Sequence, residues 1–248
     1  MARHDSAISQ LVDQNVHKWA CATHDRPPSE RRAARKEVGP CITISRETGA
    51  GGSAIAKRVG EKLGWTVLDE KILDHLADQY GTPRKLIRIV DERYVPWIEE
   101  LFETWVDGEA FSQATYMHRL GHLFFLAARR GNVVIVGRGA QFLLPHDCGL
   151  SVRIVAPLDF RVEQVLLRRG LSPKKARKFV EDTDRRRAAF IHKNFHRKAT
   201  DPHLYDLVIN VEKLVQEDAA DLIVAAAESF MKKSGFDRRC PPGRTPTP

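Results

Sequence analysis

The sequence predicts an α/β protein built on a parallel sheet with helices on both faces. Short apolar runs alternate with stretches of helical spacing along most of the chain, the pattern of strands joined by crossover helices. The apolar runs, above all 132–136 (Asn-Val-Val-Ile-Val), are continuous rather than alternating, as strands buried on both faces require. The first run, Cys41 to Ser45, feeds a glycine-rich turn, and a helical pattern follows at once.

Taken in order, the elements read as follows. Residues 1–38 are an N-terminal extension and linker. Ile8, Leu11, Val12, Val16 and Trp19 recur at helical spacing, and a basic, proline-broken stretch from Arg26 to Lys36 follows. Cys41 to Ser45 reads as a buried strand. Ser53 to Leu63 is a helix with Ile55, Ala56, Val59 and Leu63 on one side, and Trp65 to Leu68 is a second short strand. Helical spacing then dominates 70–130, with breaks after Tyr80 and near Asp107-Gly108. Trp97, Leu101, Phe102, Trp105, Phe124 and Phe125 are the expected core of that segment. The strand 132–136 ends in Gly137-Arg138-Gly139. Ser151 to Ala156 is another strand, Leu158 to Arg169 and Pro173 to Phe195 are basic helices, Leu207 to Asn210 is the last strand, and Lys213 to Lys233 the last helix. The proline-rich tail 235–248 is expected to be disordered.

Composition narrows the function without fixing it. A hydrophobic fraction of 42% supports a true core, and a formal net charge of +8 favours polyanionic partners such as nucleotides, nucleic acid or acidic lipid. Cys21, Cys41, Cys148 and Cys240 are scattered with no C-x-x-C pair, which suggests neither a zinc site nor a disulfide framework and suits a reducing cytoplasm. No apolar run is long enough to span a bilayer, and the N-terminus lacks the layout of a signal peptide. Nucleic acid is the weakest of the partners, because aromatic and basic residues do not interleave as stacking platforms need. His118/His122 and His192/His196 are each four apart, but no third ligand accompanies either pair. Packed or surface histidines account for them.

The chemistry gathers at the first glycine turn. In a parallel-sheet protein ligands bind beyond the carboxyl ends of the strands. Gly49, Ala50, Gly51 and Gly52 let backbone N–H groups approach an anion, and Ser53 opens the helix with a hydroxyl that suits phosphate or Mg²⁺. The common pattern G-x-x-x-x-G-K-[ST] would place glycine at 46 and lysine at 52. This chain has Arg46 and Gly52 there and keeps Gly51 and Ser53. Arg46 is the nearest cationic replacement for the lysine, and Lys57, a turn beyond Ser53, points away. A plain strand-to-helix turn remains the alternative on spacing alone. Asp69 and Arg138 follow two other strands at the same edge. Arg161, Arg168, Arg169 and Asp184-Arg185-Arg186-Arg187 crowd charge onto the basic helices, either around anions or on a solvated face.

The residues 42–56 (Ile-Thr-Ile-Ser-Arg-Glu-Thr-Gly-Ala-Gly-Gly-Ser-Ala-Ile-Ala), with 68–73, 134–140 and 205–210, resemble the cytidylate kinase-like family of P-loop nucleoside monophosphate kinases over roughly 40–232. The resemblance implies a three-layer P-loop fold over 39–234 with a five-stranded parallel core, a helical NMP-binding insertion at 70–130 and a basic lid at 158–197. It implies ATP and Mg²⁺ as cofactors and a phosphotransferase acting on CMP, dCMP or a related acceptor. By the same resemblance Arg138 holds the acceptor phosphate, Arg185 and Arg187 close over the donor phosphates, and Asp69 lines the acceptor side. A non-catalytic nucleotide sensor that has lost the loop lysine is the competing reading.

Overall fold

The structure is a computed structural model, and it describes residues 39–69, 120–121, 123–124, 127–128, 130–144 and 148–235. The extension at 1–38, most of the expected insertion at 70–130 and all but the first residue of the tail at 235–248 lie outside the described residues.

Five strands form one parallel sheet in the order β2-β3-β1-β4-β5. They are β1 (Cys41–Arg46), β2 (Thr66–Leu68), β3 (Val133–Val136), β4 (Gly149–Val155) and β5 (Leu207–Asn210). The helices are α1 (Gly52–Leu63), α2 (Ala140–Leu143), α3 (Leu158–Arg169), α4 (Pro173–Phe195) and α5 (Gln216–Ser234), with a helical stretch between 120 and 130 before β3. The expected five-stranded parallel architecture is thus the observed one.

Alternation along each strand builds the two faces. Ile42 and Ile44 of β1, Val134 and Val136 of β3, and Val152 and Ile154 of β4 point into one core, where α1 and α5 supply Ile55, Ala56, Val59, Ala219 and Ile223. Cys41, Val133 and Ile135 point into the other, against Leu120, Phe124, Leu143 and the end of α4 at Ile191 and Phe195. Ile42, Ile44, Ile55 and Ile154 are completely buried, so truncating any of them to alanine is expected to cost about 2–5 kcal/mol. The antiparallel pair α3–α4 has a small core of its own, with Val162, Val165, Ala176 and Val180 buried between the helices.

Element boundaries move by a few residues for local reasons. β3 starts at Val133 because Asn132 takes a left-handed backbone (φ 55°). β4 starts earlier than expected because Gly149 and Leu150 continue the ladder opposite Cys41 and Ile42. α5 starts at Gln216 because the Asn210 side chain accepts the Glu212 N–H and holds a turn there.

Candidate functional site

All five strands run the same way, so their carboxyl ends share one edge. β1 ends there in the turn that leads to α1. The Ala50 N–H goes to the Glu47 carbonyl (3.3 Å) and the Thr48 N–H to Asp184 Oδ1 (2.8 Å). The N–H groups of Gly49, Gly51, Gly52 and Ser53 have no acceptor among the described residues. These donors collect at the positive end of a 12-residue helix with no acidic residue in its first turn. That is the electrostatic make-up of an anion cradle.

Arg46 explains the missing lysine in steric terms. A Cβ at position 52 would lie 2.6 Å from Arg46 Cβ and 2.8 Å from its Cγ. A Cβ at 137 would lie 2.1 Å from Arg46 Nη1. The arginine stem therefore runs past Gly52 and its guanidinium reaches over Gly137, at the end of the neighbouring strand β3. Gly52 is glycine because the near part of another side chain occupies its space.

Beside this arginine lies a cleft of about 270 Å³. Arg46, Arg138, Arg185 and Arg187 all line it, together with Arg153, Glu47 and Asp184. Arg138 takes a left-handed backbone (φ 52°) between Gly137 and Gly139, and its guanidinium sits 5.5 Å from the Phe190 ring centre. Arg187, half-buried, donates to Thr48 Oγ1 (3.0 Å), while Arg185 is exposed and reaches Asp182 (3.4 Å). Of the other expected site residues, Asp69 is half-buried at the end of β2, Ser53 is exposed on the first turn of α1, and Gly49, Ala50, Gly51 and Gly52 form the turn itself. None of these lines the cleft.

Beside the arginines already singled out, such as Arg161, the site holds polar groups that sequence reasoning missed. Glu47 accepts from the Ala156 N–H (3.2 Å), lies 3.3 Å from Arg161 Nε and 3.6 Å from Arg153 Nη2. Arg161, only 8% exposed, also donates to the Ala156 carbonyl, the Thr48 carbonyl and Asp184 Oδ2 (2.5 Å). Arg153, 7% exposed, donates to Ser45 Oγ (3.1 Å) and Tyr205 OH (3.4 Å). Removing one partner from a buried set like this typically costs about 3–5 kcal/mol, because the remaining charge loses its compensation. Arg153 carried a legible signal, a cation inside an apolar strand. Glu47 and Thr48 carried none beyond their neighbours.

Other residues fall elsewhere. Arg168 and Arg169 are exposed, and Arg169 stacks over Phe179 at 4.2 Å instead of facing the cleft. Lys57 points outward and pairs with Glu61. His192 and His196 are exposed with ring centres 6.4 Å apart, and His118 and His122 lie outside the described residues. No group of three His, Cys, Asp or Glu gathers among the described residues, and no helix there is long and apolar enough to cross a membrane.

The strand order and the glycine turn before α1 define a P-loop-type α/β fold. More specifically, the chain belongs to the cytidylate kinase-like family, whose model matches residues 41–213. It is 24% identical over 206 residues to a cytidylate kinase of Methanopyrus kandleri, covering 79% of this chain and 97% of that one. Over 107 residues it is 33% identical to a uronate isomerase of Corynebacterium glutamicum, covering 43% of this chain but only 20% of that protein's length. Among solved structures, an uncharacterized protein from Eubacterium ventriosum shares the fold with a TM-score of 0.57 at 22% identity, over 76% of this chain and 98% of that one.

Proposed function

We propose that the protein is a nucleoside monophosphate kinase-like phosphotransferase that moves the γ-phosphoryl group of ATP to CMP, dCMP or a related acceptor. The observation that carries the reading is the placement of Arg46. Its stem fills the space that a lysine at 52 would need, and its guanidinium reaches Gly137 in the cleft that Arg138 also lines. Family membership and the name of the M. kandleri relative support the acceptor class.

In this reading the amides of Gly49, Gly51, Gly52 and Ser53 hold the donor's phosphates, and Arg138 with Asp69 serves the acceptor side. An ionised phosphate oxygen of the acceptor attacks the γ-phosphorus. A new O–P bond forms, the bond to the bridging oxygen breaks, and ADP leaves with the electron pair. The acceptor brings its own anionic nucleophile, so no residue has to remove a proton. Catalysis is alignment and charge neutralisation, by Arg46, Arg185 and Arg187. Ser53 suits a magnesium ion, since its hydroxyl is exposed and has no partner among the described residues. Both cleft carboxylates, Glu47 and Asp184, are engaged with Arg161. Ser53 would thus be the protein's contact to the ion, and the ion would neutralise phosphate charge. The segments 70–130 and 158–197 are proposed as acceptor-binding insertion and lid.

The test is coupled ADP release with ATP and Mg²⁺ across CMP, dCMP, UMP, AMP and GMP. Turnover with a cytidine acceptor is expected, falling by about 10³-fold in Arg46→Ala, the low end for a single transition-state arginine. Nucleotide binding without turnover on any acceptor would favour the sensor reading, which the absent lysine motivates.

A further inference from the structure

Thr48 stands one residue before the glycines of the turn, and all three of its polar groups are taken by the α3–α4 hairpin. Its N–H donates to Asp184 Oδ1 (2.8 Å), its carbonyl accepts from Arg161 Nη1 (3.1 Å), and its hydroxyl oxygen accepts from Arg187 Nη1 (3.0 Å). Asp184 and Arg187 are three residues apart on α4 and so share a face. The second oxygen of Asp184 takes Arg161 of α3 at 2.5 Å, which joins the two helices at this point. Thr48 is only 8% exposed, so water competes little for these bonds.

We infer that Thr48 is the positioning residue through which the glycine turn and the α3–α4 hairpin hold each other, its hydroxyl fixing Arg187 for the phosphoryl group; the catalytic half of this rests on the kinase reading above. The backbone contacts to Asp184 and Arg161 could be made by any residue but proline, which lacks the N–H. The hydroxyl adds an acceptor for Arg187 that an apolar side chain at this position would lack. The side chain's contribution is therefore separable from that of the backbone. Valine keeps the shape and loses the acceptor, whereas serine keeps the acceptor.

The test compares the whole protein with Thr48→Val and Thr48→Ser by two readouts. The first is hydrogen–deuterium exchange in the absence of nucleotide. Exchange across 184–190 is expected to rise several-fold in Thr48→Val and to stay at the wild-type level in Thr48→Ser, with 39–46 unchanged in both. The second is steady-state kinetics with ATP, Mg²⁺ and the best acceptor. Loss of a hydrogen bond to a charged group predicts a kcat lower by about 10-fold or more in Thr48→Val, with KM for ATP within about twofold, and recovery in Thr48→Ser. Wild-type exchange in Thr48→Val would overturn the inference, as would a Thr48→Ser variant that behaves like valine, or a loosening that spreads through 39–69. If the wild-type protein transfers no phosphoryl group, the kinase reading falls while the exchange comparison still decides whether Thr48 joins turn and hairpin.

Discussion

A side chain at position 52 and the stem of Arg46 compete for one space. With a Cβ at 52 only 2.6 Å from Arg46 Cβ, neither group can yield by rotating a flexible end. Restoring the common lysine alone is therefore expected to do harm. Gly52→Lys should destabilise the fold by about 1–3 kcal/mol, as overpacking does, and lower turnover rather than raise it. The double variant Arg46→Gly with Gly52→Lys clears the space and recreates the common loop pattern. It should be more stable and more active than Gly52→Lys alone, a coupling that urea midpoints and ADP release measure as a double-mutant cycle. Additive losses would mean that the two positions do not share the space. The exchange of lysine for arginine was visible in the sequence. The reason that one excludes the other was not, because it depends on how far a turn brings residue 52 back onto residue 46.

Among the elements, α1 is the one that both the core and the turn depend on. It is braced by α5, which packs in the same core. Glu217 receives Arg58 at 2.5 Å and Lys62 at 2.6 Å, and Lys62 also reaches Asp221 at 2.7 Å. The hydrogen bond from Lys62 holds the Glu217 carboxyl below its ordinary range. A carboxyl whose folded pKa is depressed stabilises the fold above its unfolded pKa of about 4.3, and that contribution is lost as pH falls through the folded value. Thermal melts should therefore show a smaller loss of Tm on acidification in Glu217→Gln than in the wild type. The neutral-pH gap between them should shrink as salt is added, because the groups are partly exposed. An identical acid profile for both proteins would remove this pairing from the account. The two basic helices, by contrast, are divided in their roles. Arg161 and Arg187 turn inward to Thr48, while Arg168 and Arg169 face outward. Helical spacing located these helices to the residue, yet it could not say which of their arginines turned inward. That choice is made by Asp184 and Glu47, which lie 23 and 114 residues from Arg161 in the chain.

For the whole molecule, the sequence was most informative where a physical rule leaves few alternatives. Continuous apolar runs between helices demanded a parallel sheet, and such a sheet demanded a site at its carboxyl edge. The runs around Ile42, Val134 and Ile154 lie fully buried in that sheet. The glycines at 49, 51 and 52 announced a close backbone approach, which the structure displays as donors without acceptors among the described residues. What stayed hidden was the buried polar network of Glu47, Thr48, Arg153, Arg161, Asp184 and Tyr205. Its members come from the turn after β1, from β4, from both helices of the hairpin and from the approach to β5, and no local period links them. The central claim concerns the meeting of these parts: a turn of backbone amides, helped by Arg46, binds oligophosphate in a protein whose loop lacks lysine. Isothermal titration calorimetry with ATP, in the presence and absence of Mg²⁺, tests it most directly. The account predicts one site per chain in the wild-type protein and clearly weaker binding in Arg46→Ala. Folded wild-type protein that gives no heat with ATP under either condition would contradict it.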